Sequence, residues 1–84
     1  LEQAVASVEM AEAALQVAQV AIADERQRLA LYEAVPDKRA VSVDEVARRR
    51  FGVDRAEAGL RQARATLRGA QAQADTIRTE LERL

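Results

Sequence analysis

The side chains with the most chemical potential in this chain are Ser42 and the acidic pair Glu9 and Glu12. A nucleophilic serine needs an activating base, and the chain contains no histidine and no well-placed lysine. General acid–base catalysis needs a pocket, whereas Glu9 and Glu12 fall on the solvated side of a helical pattern. There is also no cysteine and no glycine-rich phosphate loop. The sequence therefore predicts no catalytic residue, no metal site and no cofactor.

Arginine side chains could instead bind nucleic acid or an acidic partner. Seven of them are concentrated in one stretch: Arg48, Arg49, Arg50, Arg55, Arg61, Arg64 and Arg68. A nucleic-acid-binding helix is strongly basic, whereas this chain has a formal net charge of -1 and intersperses acids such as Asp54 and Glu57. We therefore expect solvated charge with some interhelical ion pairs, and no nucleic acid.

The elements that carry these residues are set by a seven-residue apolar repeat. Alanine, glutamate, arginine, leucine and glutamine dominate the chain, and only 2% of it is aromatic, which argues against a packed globular core. The first half repeats at Leu1, Val8, Leu15, Ile22 and Leu29, with Ala4, Ala11, Ala18, Glu25 and Tyr32 three positions later. The second half repeats at Val46, Val53, Leu60, Leu67, Ala74 and Leu81, with Arg49, Ala56, Ala63, Ala70, Ile77 and Leu84. Such a repeat predicts an all-α, left-handed coiled coil.

A single interruption, EAVPDKRAVSVDE, separates the two halves. Pro36 cannot continue a helix and restricts Val35, so the first helix should end near Ala34. Ser42 suits an N-cap, with Glu45 at the capping-box position. The prediction is one long antiparallel two-helix hairpin spanning 1–84, with helices at about 1–34 and 43–84 and a tip loop at about 35–42.

The register follows from matching side-chain sizes across the hairpin. If the turn is centred near Arg39, facing residues have numbers that add up to about 78, which pairs Leu15 with Ala63 and Leu60 with Ala18. A large residue then meets an alanine in nearly every layer. Residues 1–34 carry six acidic and two basic side chains and residues 43–84 carry seven and nine, so the two helices should also attract each other.

Two further expectations concern residues outside this regular pattern. Glu25 and Arg49 are the charged residues of the two seams, and they should either meet in a polar lock below the tip or both bend outward to water. On the outward side, Val20, Phe51, Ala58 and Ala65 form a stripe that predicts lateral packing between hairpins. No apolar run approaches the roughly 20 residues that a membrane-spanning helix needs. The chain begins and ends in mid-pattern, so we expect it to be a segment of a longer protein.

The hairpin pattern, the tip AVSVDE and the segment RAEAGLRQARATL resemble the α-helical hairpin of bacterial periplasmic adaptor proteins, the membrane fusion proteins of the HlyD type. In adaptors that dock to TolC-type outer-membrane channels, the tip carries a spaced arginine, leucine and serine. Arg28 and Ser42 match the arginine and serine, and Leu31 or Tyr32 stands near the leucine position. Pro36, Lys38 and Arg39 belong to a tip about three residues longer than the common pattern.

The resemblance implies a role in a tripartite efflux pump or a type I secretion system. The full protein would be anchored at the inner membrane, contact a transporter there through other domains, and form a periplasmic hexamer whose hairpins make a tube. The tips would meet the outer-membrane channel. The alternatives are a generic structural coiled coil that self-associates into a helical bundle and, less favoured, an arginine-rich module that binds nucleic acid or an acidic partner.

Overall fold

The computed structural model describes residues 1–37 and 41–84 and consists there of two long helices. Helix α1 spans Glu2–Glu33 and helix α2 spans Val43–Glu82. The helices pack against each other along their length, and the Cα atoms extend over 70 × 14 × 13 Å. The predicted fold class, an antiparallel helical hairpin, is confirmed. The helix bounds differ from the expected ones by one or two residues at three of the four ends.

The helix ends at the tip follow from local sequence. Ala34 is the C-cap of α1, and Val35 and Pro36 follow it outside the helix. Ser42 is the N-cap of α2, with extended backbone angles, and its hydroxyl accepts a hydrogen bond of 3.1 Å from the backbone N–H of Glu45. A cap of this kind stabilises a helix by about 1 kcal/mol. Ser42 therefore fixes the point at which α2 begins.

The seam between the helices is built from the predicted heptad positions. The buried apolar side chains of the described residues are Ala4, Ala11, Ile22, Val53 and Ala74, and each belongs to the repeat. Half-buried positions such as Leu15, Ala18, Leu60 and Ala63 continue the same stripe. Since α1 and α2 bury only one stripe each, the hairpin has a seam rather than a globular core.

Residues that face each other across the two helices have residue numbers that add up to about 78, as predicted. Near the open end, Leu1 and Ile77 line the same groove. Near the tip, the Glu25 side chain lies against Gly52. A register one heptad longer would pair Leu1 with Leu84, which is 100% exposed. The shorter register is therefore the one adopted.

Helix α1 is also long and apolar enough, by length and composition, to cross a membrane, with a mean hydropathy of 1.3 over its most apolar window. Valine and alanine raise this average although the helix contains acidic residues such as Glu9 and Glu12. A core helix of a soluble protein or a signal sequence passes the same test, so a single helix of this kind is a weak indication of a membrane span.

Candidate docking surface at the hairpin tip

The largest described cavity is an open groove of ≈ 570 Å³ at the tip. It forms where the last turn of α1, the two ends of the loop and the first turns of α2 converge. Its lining is mostly apolar: Tyr32, Glu33, Val35, Val41, Ser42, Val43, Val46, Ala47 and Arg50. Val43 is 85% exposed there, so the groove offers apolar surface that the hairpin itself does not cover.

An ion pair crosses the hairpin at the edge of this groove. The Arg50 guanidinium on α2 donates to the Glu33 carboxylate on α1 at 3.1 Å. Two turns further from the tip, Arg26 and Glu57 form a second pair across the same side at 3.5 Å. These pairs are largely exposed, so each contributes little stability, but together they fix the orientation of one side of the hairpin.

Arg28 and Leu31 are presented together on an exposed side of α1. Leu31 is 63% exposed, and the Arg28 guanidinium lies 3.2 Å from the carboxylate of Asp24, one turn earlier in the same helix. Because residues three apart are neighbours on a helix, Arg28 and Leu31 form one continuous surface. Of the two residues near the expected leucine position, Leu31 is therefore the one available to a partner.

Tyr32 points into the seam and binds Arg49. The Arg49 guanidinium donates a 3.2 Å hydrogen bond to the Tyr32 hydroxyl and lies 4.8 Å from the centre of its ring. This hydrogen bond to Tyr32 raises the pKa of Arg49 above its ordinary value and is the largest cause of that shift. Since arginine is protonated at all ordinary pH values, this shift creates no pH switch.

The ion pair of the expected polar lock between Glu25 and Arg49 is not formed, although the charge of Glu25 is a smaller cause that also raises the pKa of Arg49. Within the described residues Glu25 forms no ion pair, and its carboxylate lies over the backbone of Gly52, where an added Cβ would be 2.6 Å from Oε2. An alanine at Gly52 would therefore require only that the flexible carboxylate end of Glu25 shift. The partner of the Arg49 guanidinium is thus the aromatic Tyr32 instead of the expected acidic residue.

A double-mutant cycle tests this pairing. Tyr32→Ala and Arg49→Ala should show a stabilising coupling in urea unfolding, and Glu25→Ala with Arg49→Ala should show a clearly smaller one. Tyr32→Phe should retain part of the coupling, because the ring remains under the guanidinium. A larger coupling to Glu25 than to Tyr32 would contradict the pairing.

The other predicted site residues are placed as follows. Ser42 is exposed, with its hydroxyl used by the cap, and Pro36 is exposed in the loop. Lys38 and Arg39 lie outside the described residues. The stripe predicted for lateral packing, Val20, Phe51, Ala58 and Ala65, is exposed, with Val20 and Phe51 each at 64%.

The sequence pattern alone did not predict that the valines near the tip line one groove. Val35, Val41, Val43 and Val46 lie within twelve positions of a chain whose small apolar residue is otherwise mainly alanine. Valine is a poorer helix former than alanine, so its concentration at the helix boundaries was the available signal. The groove itself forms only because the end of α1 and the start of α2 converge and bring these residues together.

Within residues 1–37 and 41–84, no group of three or more acidic side chains is placed to hold a metal ion. No protein-family model, curated protein sequence or solved structure matches this chain.

Proposed function

We propose that this chain is the helical hairpin of a periplasmic adaptor subunit and that its tip docks to a TolC-type outer-membrane channel. The observation that carries the proposal is the uncovered apolar surface at one end of a narrow, 70 Å long hairpin. Such a rod can reach a partner at a distance, and the groove places apolar surface where that partner would approach the end of the rod. In this proposal the hairpin connects the parts of the assembly and performs no chemistry.

The docking surface consists of two adjoining parts. One is the exposed surface of Arg28 and Leu31 on α1, and the other is the valine-lined groove with Val43 at its rim. An apolar side chain of the channel would enter the groove, and a polar or acidic group would reach Arg28. Interfaces commonly combine an apolar anchor with a polar rim in this way.

The remaining parts of the proposal follow the family resemblance. The full protein would be periplasmic and anchored at the inner membrane, with a transporter bound through other domains. Six hairpins would form a tube through lateral contacts that include the outward stripe of Val20 and Phe51. The same exposed stripe supports the second candidate, a structural coiled coil that self-associates into a bundle.

Binding of the hairpin to a purified TolC-type channel tests the docking function. Leu31→Asp and Val43→Asp should each weaken binding by about tenfold or more, because a charge would enter an apolar contact. Arg28→Ala should weaken it less. Circular dichroism should show unchanged helicity for all three.

Two controls separate docking from folding. Gln16→Asp adds the same charge at an exposed position of α1 away from the tip and from the outward stripe, and it should leave channel binding unchanged. Ser42→Ala removes both the hydroxyl and the cap, whereas Ser42→Asn keeps an uncharged cap, so reduced binding by both variants would indicate a direct contact of the hydroxyl. Unchanged binding after Leu31→Asp and Val43→Asp would remove the docking proposal.

A further inference from the structure

The two flat sides of the hairpin differ in charge. The side crossed by the Arg26–Glu57 and Glu33–Arg50 pairs continues toward the open end with Glu12, Arg64 and Arg68. The opposite side carries no charged residue from Gln3 to Ala21 on α1 and from Gly59 to Thr76 on α2, in a chain that is 32% charged. We call this uncharged side the neutral face.

The neutral face is formed by two series of residues that recur at intervals of three and four. On α1 they are Gln3, Ser7, Met10, Ala14, Val17 and Ala21. On α2 they are Gly59, Gln62, Thr66, Gly69, Gln73 and Thr76. Gln3, Ser7 and Gln73 line one groove, so the two series lie on the same side of the hairpin.

Two hydroxyls on this face are already satisfied by the backbone of their own helix. The Ser7 hydroxyl donates to the Gln3 carbonyl at 3.1 Å, and the Thr76 hydroxyl donates to the Ala72 carbonyl at 3.0 Å. The apolar side chains of Met10 and Val17 on the same face are 73% and 69% exposed, respectively. The face is therefore suited to close contact with another protein surface.

Two glycines on this face have no explanation within the hairpin. A Cβ added at Gly59 or Gly69 would meet nothing within 4 Å, in contrast to Gly52. Glycine weakens a helix relative to alanine, and both glycines stand inside the 40-residue α2. Glycines at such positions permit the close approach of a second helix.

The charges next to the neutral face indicate which surface approaches. Toward the tip, the next residue of the α1 series is Asp24 and the next of the α2 series is Arg55. Arg55 has no ion pair with any described residue, and Asp24 pairs only with Arg28 of its own helix. By the register the two lie at the same level on opposite edges of the face, and no ion pair joins them within the hairpin. A second copy would bring them together.

We propose that two copies of this chain pack neutral face to neutral face, with a two-fold axis parallel to the hairpin and both tips at the same end. The result is a four-helix bundle in which α1 of each copy lies on α2 of the other. Because the copies keep the same level, Met10 packs on Gly69 of the second copy, and Asp24 reaches Arg55 of the second copy. The largest apolar side chain of the face then meets a glycine, and Val17 lies at the level of Gln62.

The opposite arrangement, with the tips at opposite ends, fits less well. It would place α1 on α1 and α2 on α2, so that Met10 would not meet Gly69 and Asp24 would not meet Arg55. The uncharged part of the face is about 30 Å long and the hairpin about 20 Å wide, which gives about 600 Å² per copy. This area is at the lower end for specific interfaces, so the dimer should depend on concentration. The inference does not rest on the docking function, since it concerns a different surface.

Analytical ultracentrifugation of the 84-residue chain tests the proposal. The unsubstituted chain should dimerise reversibly. The double variant Gly59→Ala and Gly69→Ala should weaken dimerisation by about tenfold or more, while its thermal midpoint at low concentration rises, because alanine favours the helix. Ala65→Leu on the outward stripe should leave dimerisation unchanged. A chain that is monomeric at every concentration, or a dimer that tolerates both alanines, would overturn the proposal.

The arrangement of the copies is tested by cross-linking and by charge exchange. The chain has no cysteine, so an oxidised mixture of Met10→Cys and Gly69→Cys chains should form disulfide-linked pairs of unlike chains. Asp24→Arg and Arg55→Asp should each weaken the dimer, and the chain with both changes should recover it. Cross-linking mainly between two Met10→Cys chains, or no recovery in the doubly changed chain, would refute this arrangement.

Discussion

Ile22→Ala should destabilise the hairpin by about 2 to 4 kcal/mol, the cost of removing a large buried side chain. Ile22 is 5% exposed and is the bulkiest of the buried side chains in the described part of the seam. A two-helix structure of this size has about 3 to 5 kcal/mol of total stability. The variant should therefore be largely unfolded at room temperature, which circular dichroism and urea titration would measure.

Val20→Ala is the matched control for this substitution. Val20 lies two positions away on the same helix and is 64% exposed. Its truncation should change the free energy of unfolding by less than about 0.5 kcal/mol, measured at a concentration low enough to exclude self-association. Equal losses at the two positions would show that the seam of the repeat is not where the hairpin is held together.

Ala74→Leu should destabilise the hairpin by about 1 to 3 kcal/mol, because the seam has no room for a larger side chain there. Ala74 is 3% exposed, and the register places it at the level of Ala4, which is 8% exposed. Two alanines facing each other bring the helix backbones close together. A leucine at this position would force the helices apart, and the urea midpoint should fall accordingly.

The control for this overpacking is Ala72→Leu. Ala72 is exposed on the same turn of α2, so leucine there should change stability by no more than about 0.5 kcal/mol. Leucine and alanine are both good helix formers, and the two variants therefore differ mainly in burial. If Ala74→Leu stabilised the hairpin, the seam at this level would have to be open.

The docking surface at the tip and the neutral face would have different roles. The tip groove and the Leu31 surface lie at the end of the rod, where they would meet a partner that approaches along its axis. The neutral face runs along the side and would pair two hairpins with their tips aligned. A dimer of this kind leaves both tips uncovered, so docking and dimerisation can be measured independently on the same chain.

The sequence by itself determined the fold of this protein. The heptad repeat predicted two packed helices because a seven-residue period keeps one apolar stripe on a single side of a helix. Pro36 and Ser42 predicted the break because their effects are local: one blocks a backbone conformation and the other caps an adjacent helix. Large and small residues alternating across the seam indicated the register, which the position of Leu1 beside Ile77 supports.

Tertiary structure decided which side chains meet where several partners were within reach. The pattern indicated only that Glu25 and Arg49 both lie on the seam; the packing of the tip places Tyr32 against Arg49 and leaves Gly52 to accommodate Glu25. In the same way the valines of the tip form one groove only because the loop ends converge. Periodicity assigns each residue to a side of a helix, whereas contact between two long side chains depends on distances of a few ångströms that only the packed structure sets.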